Sequence, residues 1–224
     1  MAKMIYNEDC LEGMKRLDTS SIDLICTDPP YYCGATSNGI KATFSDFQML
    51  KPFWRECFTQ WQRILKDGAH IYINTDWRTY PFLYQIVGEF FQIKNLIVWD
   101  YEWIKAGAWY RPRHEFIIFA VKGKGTRTFS AAEADVWRIK TPTEVLPNNR
   151  FHQSQKPLEL CKKMILNSSK ENNTILDCFM GSGSTGIACI NTDRDFIGYE
   201  LDEIFYKIAE RRIQEALDNR GLFN

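Results

Sequence analysis

A short acidic and proline-rich segment carries the first residues that could do chemistry. Asp28-Pro29-Pro30-Tyr31 directly follows an apolar run. Prolines have no N–H to donate, so the Pro29 and Pro30 carbonyls would stand as acceptors in a stiff, extended loop. Asp28 adds a carboxylate acceptor and Tyr31 adds a flat aromatic face. Two adjacent acceptors beside a ring suit an amino group on a planar heterocycle, whereas the plainer alternative is a simple chain turn at a strand end.

The amine that such a segment would hold is a poor nucleophile, because its lone pair is delocalised into the ring of adenine or cytosine. Acceptors at Asp28 and at the Pro29 carbonyl would favour the pyramidal amine that a transfer reaction requires. The base would first have to leave its stack, and stacking on Tyr31, worth about 1–3 kcal/mol, would offset part of that cost.

A glycine-rich turn is the second segment whose residues could take part in binding or catalysis. Gly181, Gly183 and Gly186 fit the GxGxxG spacing after an apolar strand, and Glu200 ends the next strand. Small residues let the backbone approach a ligand, a helix start offers N–H groups, and an acid can accept from two ribose hydroxyls. This chemistry serves any cofactor that carries a nucleoside.

Three interpretations of the turn compete. A phosphate-binding P-loop would need a lysine after the last glycine, but Gly186 is followed by Ile187. A dinucleotide fold would need a second nucleotide-binding half, and only 24 residues follow Glu200. The remaining ligand is an adenosyl cofactor without a pyrophosphate, held by Asp177, the turn and Glu200. A tight turn that binds nothing is the structural alternative.

The elements that must position both segments alternate between short apolar strands and helices, which predicts an α/β fold with a mostly parallel sheet. The predicted strands are 3–7, 22–27, 69–74, 93–99, 114–121, 174–178 and 196–200. The predicted helices are 11–17, 50–66 with a stop at Asp67-Gly68, 81–90, 157–168, one from Ser184, and 202–217. Pro52 is expected in the first helical turn, and 122–150 is the least regular segment.

The composition excludes several classes of protein. Hydrophobic residues make up 45% and aromatic residues 14%, enough for a real core, so disordered and fibrous classes are excluded. The 28 basic and 28 acidic residues cancel, which excludes a uniformly basic coat. No apolar run approaches the roughly 18 to 20 residues that span a bilayer. We therefore expect a globular protein with no membrane contact.

The seven cysteines show no CxxC spacing, and the first residues turn acidic too early for a secretory signal. The pattern fits neither a disulfide framework nor a zinc site. It predicts buried, reduced thiols, no metal and a cytoplasmic location. The tryptophans are predicted to be core residues except Trp109 and Trp137, which lie near a basic region.

That basic region spans residues 105–150, where nine Lys/Arg face four acids. A solvated face is the ordinary interpretation of such a cluster. Beside a nucleic-acid chemistry it becomes a candidate phosphate-binding surface. The DNA-binding candidates are Arg111, Arg113, Lys122, Lys124 and Arg127.

Together the two segments make the chain resemble the β-class, S-adenosylmethionine-dependent DNA amino-methyltransferases, which act on adenine N6 or cytosine N4. Asp28-Pro29-Pro30-Tyr31 matches the catalytic tetrapeptide of that family, and 179–183 matches its FxGxG cofactor motif. The tetrapeptide precedes the glycine motif, as in the β class. The resemblance implies one Rossmann-like methyltransferase domain over 1–224, circularly permuted, with helices on both faces and the last strand beside the first.

Four shorter matches complete the resemblance. They are 6–10 for the cofactor's adenine, 152–157 for its methionine side, 198–202 for its ribose, and 111–115 beside the target pocket. The implied catalytic residues are Asp28, Pro29, Pro30 and Tyr31. The implied cofactor-binding residues are Asp9, Cys10, Asp28, Lys156, Asp177, Phe179, Gly181, Ser182, Gly183, Ser184, Thr185 and Glu200.

The resemblance implies methyl transfer from S-adenosylmethionine to a flipped base in double-stranded DNA. Asp28 at the first motif position favours adenine N6, with cytosine N4 as the alternative. The cytosine C5 reaction needs a Pro-Cys nucleophile, which is absent. DNA-recognition inserts are expected at 33–45 and 122–150, and a homodimer and a restriction endonuclease are expected partners. A catalytically silent, nucleic-acid-binding module is the non-enzymatic alternative.

Overall fold

The computed structural model describes residues 3–30, 47–107, 109–125, 133–141 and 155–221. Within these ranges eight strands form one sheet and six helices pack against it. The strands are β1 Lys3–Tyr6, β2 Ile22–Thr27, β3 Leu65–Thr75, β4 Gln92–Asp100, β5 His114–Val121, β6 Val136–Arg138, β7 Thr174–Asp177 and β8 Asp195–Tyr199. The helices are α1 Cys10–Met14, α2 Phe47–Ile64, α3 Tyr80–Phe90, α4 Leu158–Ser168, α5 Ser184–Ile190 and α6 Glu203–Gly221.

The strand order is β1-β8-β7-β2-β3-β5-β4-β6. Only β5 runs antiparallel to its neighbours, β3 and β4, so the predicted mostly parallel sheet is confirmed for the described residues. The first strand pairs with the last, from Lys3 opposite Phe196 to Tyr6 opposite Tyr199, as the predicted permutation requires. We call the end of the sheet where β1, β8, β7, β2 and β3 finish its carboxyl end, and the other its amino end.

Both faces of the sheet are covered, as predicted. Strand residues alternate between two apolar clusters: Ile25 points into one, while Leu24 and Cys26 point into the other. Helices α1, α2 and α3 contribute to the first cluster, where Trp54 and Trp61 are fully buried. Helices α4, α5 and α6 contribute to the second. Burial on both faces explains why the strands read as short continuous apolar runs.

The junction of α2 and β3 differs from the prediction. Helix α2 begins at Phe47, which places Pro52 in its second turn, and it ends at Ile64 rather than at the predicted Asp67-Gly68 stop. Strand β3 starts immediately at the buried Leu65. Gly68 has φ of 79° and donates its N–H to the Lys122 carbonyl at 2.9 Å. This glycine therefore bends a strand, and does not end a helix.

Strand β6 was not predicted, because three residues are too few to show a period. It lies in the segment predicted to be least regular and pairs with the end of β4. Trp137 on this strand is buried, which corrects its predicted place outside the core. Trp77, predicted to be core, is 62% exposed in the turn after β3, where the Arg78 guanidinium lies over its ring. Trp109 is 94% exposed, as predicted.

Six of the seven cysteines lie in the described ranges, and all six are buried free thiols. Cys33 lies outside the described residues. Among the helices that the structure describes, none combines the length and the apolarity needed to cross a bilayer.

Candidate active site

The two chemically interesting segments meet at the carboxyl end of the sheet. Asp28 follows β2 and the glycine-rich turn follows β7, and these strands are direct neighbours, with Ile25 opposite Leu176. The Thr27 hydroxyl donates to Asp177 Oδ1 at 2.8 Å, which ties the two strand ends together. The two chain regions therefore lie side by side, at the position where open α/β sheets place their ligands.

Asp177 is the buried centre of this junction. Its Oδ1 accepts from the Thr27 hydroxyl and from the Phe179 amide at 3.1 Å, and its Oδ2 accepts from the Thr185 hydroxyl at 2.7 Å. Burial raises the pKa of Asp177 to about 6, although these hydrogen bonds oppose the rise. The three donors come from β2, from the glycine-rich turn and from α5, so Asp177 braces this junction.

The glycines of the turn have different surroundings. Gly181 has φ of 52°, and a Cβ there would meet nothing within 4 Å. Gly183, with φ of 82°, lies against α6, where a Cβ would be 3.0 Å from Ala209 Cβ. A Cβ on Gly186 would come within 2.8 Å of Phe196. Gly181 therefore leaves open space for a ligand, whereas Gly183 and Gly186 let helix and strand pack closely.

Glu200 is held at the start of the next loop. Its Oε2 accepts from the Gly181 amide and its Oε1 from the Asp202 amide, both at 2.9 Å. Burial raises the pKa of Glu200 above its ordinary value, and the backbone amides oppose that rise. A carboxylate fixed by two amides at the end of β8 is suitably placed to accept from ribose hydroxyls.

Asn7 is a site residue that the sequence did not single out. Its Nδ2 donates to the Glu200 carbonyl at 2.9 Å and to the Leu201 carbonyl at 3.1 Å, so it fixes the β1 loop against the β8 loop. In the same loop, Asp9 caps α1 by accepting from the Leu11 amide at 2.8 Å, and Cys10 is buried. These contacts explain how 6–10 is held beside Glu200.

A chain of four alternating charges lies next to Asp28. Lys156 Nζ is 3.0 Å from Asp28 Oδ2 and 2.9 Å from Glu115 Oε2. The other oxygen of Glu115 is 2.9 Å from Lys105 Nζ. The Lys156 ammonium also lies 5.5 Å from the centre of the Trp99 ring. Lys156 was predicted for the cofactor, but here it pairs with the predicted catalytic acid. Glu115 was quoted only as part of a motif.

The neighbouring charges shift the pKa values of Lys156 and Glu115 in opposite directions. Burial alone would lower the pKa of the Lys156 ammonium, but Asp28 and Glu115 raise it above its ordinary value. Burial alone would raise the pKa of Glu115, but Lys156 and Lys105 lower it to about 2. Lys156 and Glu115 are therefore both charged near neutral pH.

Several buried polar atoms at this end of the sheet have no hydrogen-bond partner within the described residues. Ser184 Oγ follows the glycine turn, Gln155 Oε1 precedes Lys156, and Asn74 Oδ1 belongs to a side chain whose Nδ2 donates to the Thr27 carbonyl at 3.0 Å. Buried polar atoms are seldom left unpaired. Together with the open space at Gly181 and the Glu200 carboxylate, they fit a polar cofactor of the adenosyl type.

The predicted DNA-binding residues separate into two groups. Arg111 and Arg113 precede β5 at the carboxyl end of the sheet, near Asp28. Arg113 Nε pairs with Asp100 at 2.9 Å, and Arg111 donates to the Lys105 carbonyl at 3.0 Å. Both therefore brace the loop between β4 and β5.

Lys122 and Lys124 lie elsewhere, because β5 runs antiparallel and carries the chain back to the amino end of the sheet. Lys122 Nζ donates to the Leu65 carbonyl at 2.6 Å, at the start of β3. This position argues against the predicted DNA contact for both lysines. The predicted Arg127 and Tyr31 lie outside the described residues, as does His152.

Two cavities, of about 460 and 230 Å³, open at the amino end of the sheet. Asp67 and Lys122 line the first, and Ile22 and Thr174 line the second. Neither is lined by Asp28, Lys156 or the glycine-rich turn, so both cavities are separate from the site described above.

Comparisons with solved structures agree with this fold. The M1.HpyAVI–SAM complex is 26% identical, with a TM-score of 0.70 over 93% of this chain and 98% of that one. The cytosine-N4-specific PvuII DNA methyltransferase is only 13% identical but reaches a TM-score of 0.76 over 97% of this chain and 92% of its own, which is a likeness of fold.

Sequence comparisons identify the family. DNA adenine methyltransferase YhdJ of Escherichia coli strain K12 is 28% identical, over 96% of this chain and 84% of YhdJ. Type II methyltransferase M.HpaI of Haemophilus parainfluenzae is also 28% identical, over 97% of this chain and 76% of its own. The profile of the N6/N4 DNA methylases matches residues 22–211, most of the chain, and the chain therefore belongs to the DNA methylase family.

Proposed function

We propose that this protein transfers a methyl group from S-adenosylmethionine to the N6 amino group of adenine in double-stranded DNA, after the base has flipped out of the helix. The observation that carries the proposal is the position of Asp28 and Pro29 beside the glycine-rich turn, at the ends of neighbouring strands. Methyl donor and acceptor can meet only where their binding groups share one end of the sheet.

The chain's own residues would bind, orient and stabilise. Asp28 and the Pro29 carbonyl accept from the two N–H groups of the target amine and fix its direction. When bound, S-adenosylmethionine would supply the electrophilic methyl group: the nitrogen–carbon bond forms as the carbon–sulfur bond breaks, and the methylated amine then loses one proton. As the nitrogen gains positive charge, the Asp28 carboxylate stabilises that charge, which is electrostatic preorganisation. Lys156 holds Asp28 in place, and Glu200 and the space at Gly181 receive the adenosyl part.

The choice of adenine rests on Asp28 at the first motif position and on the relatives. YhdJ is a DNA adenine methyltransferase, which supports adenine as the target base. Cytosine N4 remains the alternative, since the same pair of acceptors can hold either amine.

The DNA would approach the carboxyl end of the sheet. There the loop between β4 and β5 presents Trp109 and Tyr110, which are 94% and 103% exposed, next to the braced Arg111. Flat exposed rings beside basic groups suit unstacked bases and phosphates. Of the two predicted inserts, 33–45 lies outside the described residues. Within 122–150 the structure describes 122–125, at the amino end of the sheet, and 133–141, which includes β6 beside the end of β4.

The proposal includes one domain over 1–224, a cytoplasmic location, a homodimer and a restriction endonuclease partner within a restriction–modification system. The six buried free thiols support the location, and the Type II relative M.HpaI supports the last partner. Size measurement in solution tests the homodimer.

The direct test is incubation of the purified protein with unmethylated double-stranded DNA and isotope-labelled S-adenosylmethionine, followed by digestion to nucleosides and mass spectrometry. We expect labelled N6-methyldeoxyadenosine among the nucleosides. Labelled N4-methylcytosine would support the alternative base, and no labelled nucleoside on any DNA would contradict the proposal.

A further inference from the structure

The buried ammonium of Lys156 pairs with Glu115 as well as with Asp28. Its side chain is only 9% exposed, and it contacts two carboxylates rather than one. A desolvated ammonium needs close opposite charge and good hydrogen bonds to remain ionised. Asp28 comes from the end of β2 and Glu115 from the start of β5, so Lys156 joins two separate strands.

Glu115 is held by the sheet and by two lysines. It lies on a regular strand, paired opposite Trp99 of β4, and each of its oxygens binds a different lysine. Asp28, in contrast, lies just after the end of its strand. A carboxylate on a paired strand is a suitable anchor for a long, flexible lysine, because its backbone position is fixed by the sheet.

We propose that Glu115 is a positioning residue for methyl transfer: it holds the Lys156 ammonium so that Lys156 in turn orients the Asp28 carboxylate toward the target amine. Lys105 balances the charge of Glu115 from the outer side of the chain. The inference rests on the proposed function, and it adds a role for a residue that touches neither cofactor nor base.

The critical variant is Glu115→Gln, which keeps the shape and one acceptor but removes the charge. It leaves two lysines for one acid, so the orientation of Asp28 is expected to loosen. We expect kcat to fall by roughly 10- to 100-fold, while KM for DNA and for S-adenosylmethionine stays within about threefold, because the lost interaction acts on the reacting amine.

The pH dependence of kcat gives a readout that a merely structural role would not move. With Glu115 neutral, the pKa of Lys156 should fall from its raised value, so the alkaline limb of the profile should begin at lower pH than in wild type. Among the described residues, the groups that act on Lys156 include Asp28, Glu115 with Lys105 behind it, and the Trp99 ring. The Tyr101 hydroxyl and the Cys161 thiol are also close enough to interact with it electrostatically.

Three further variants complete the experiment. Glu115→Asp keeps the charge, and it should retain the wild-type alkaline limb with kcat within about tenfold of wild type. The double variant Glu115→Gln/Lys105→Gln restores charge balance, and it should regain stability but not kcat. If urea unfolding shows that Glu115→Gln is not properly folded, kcat is measured on the double variant in its place. Glu89→Gln, which breaks the surface pair with Arg55, should leave kcat and its pH profile unchanged.

The outcomes separate this inference from the proposed function. An active wild type together with a Glu115→Gln variant of unchanged kcat and unchanged alkaline limb would overturn the inference alone. Full recovery of kcat in the double variant would also overturn it, since Glu115 would then serve only charge balance. A wild type that methylates no DNA would overturn the proposed function and the inference together.

Discussion

Nζ of Lys156 lies 3.0 Å from Oδ2 of Asp28, and this ion pair joins the two halves of the candidate site. Asp28 belongs to the segment assigned to the target amine, whereas Lys156 belongs to the segment assigned to the cofactor. A residue assigned to the methyl donor is thus in direct contact with a residue assigned to the amine that accepts the methyl group. The consequences can be measured at four places in the molecule.

The open space at Gly181 makes the first prediction. Gly181→Val would place a branched side chain where a Cβ now meets nothing within 4 Å, and would also force φ of 52° on a valine. We expect the affinity for S-adenosylmethionine to fall by at least about tenfold, with a stability loss of about 1–3 kcal/mol from the backbone. Calorimetric titration and urea unfolding measure the two effects.

Gly68→Val is the matched control, because Gly68 also has a positive φ, of 79°, but lies at the amino end of the sheet. It should lose a similar amount of stability and keep its cofactor affinity. Equal losses of affinity in both variants would show that backbone strain, and not occupation of a binding space, is responsible.

The raised pKa of Asp177 makes the second prediction. Its carboxyl titrates at about 6 in the folded protein against 3.8 ordinarily, so between these values the folded state binds the proton more tightly than the unfolded state. Stability is then lost as pH rises from about 4 to about 6, by an amount on the order of 3 kcal/mol. Asp177→Asn cannot ionise, and its unfolding free energy relative to wild type should rise over that interval.

Urea unfolding at pH 4, 5, 6 and 7 measures this difference. The asparagine variant need not be more stable at any one pH, because it changes the hydrogen bonds with Thr27 and Thr185. Two curves that stay parallel across the interval would contradict the assignment.

The exposed rings at the β4–β5 loop make the third prediction. Replacing Trp109 and Tyr110 together by alanine should weaken DNA binding by about tenfold or more, since base stacking is worth about 1–3 kcal/mol per ring. The thermal midpoint should change little, because both side chains are fully exposed. Fluorescence anisotropy with labelled duplex DNA provides the measurement.

The comparison variant removes two positive charges at the other end of the sheet, Lys122→Ala/Lys124→Ala. It should keep its DNA affinity within about twofold, despite losing phosphate-seeking charge, because distance and salt screen that charge from the bound duplex. A larger loss of DNA affinity in this variant than in the aromatic variant would support the predicted DNA contacts of Lys122 and Lys124. It would contradict binding of the DNA at the carboxyl end of the sheet.

The strands around the site could be predicted because each is short, apolar and buried on both faces. The ends of β2 and β7 carry unusual residues, Asp28-Pro29 and the glycine turn, and these residues together indicated the methyltransferase family. Strand β6 could not be predicted, since three residues give no period and Trp137 is held in the core by tertiary contacts.

The remaining errors share a physical cause, namely long-range packing. The charge count over 105–150 could not show that β5 returns the chain to the amino end and carries Lys122 with it. Likewise, no local pattern reveals that Lys156 reaches across to Asp28 and Glu115. Gly68 looked like a helix stop because a glycine with positive φ serves equally well in a strand bend.

Asp28 is the residue on which the proposed chemistry depends most. The most direct measurement compares Asp28→Ala with wild type in methyl transfer to DNA and in binding of S-adenosylmethionine. We expect labelled methyl incorporation into DNA to fall by at least about a thousandfold, since both the acceptor and the oriented charge are lost. Cofactor affinity should remain within about fivefold of wild type, because Glu200 and the Gly181 space are untouched. Methyl transfer at the wild-type rate in this variant would contradict the account.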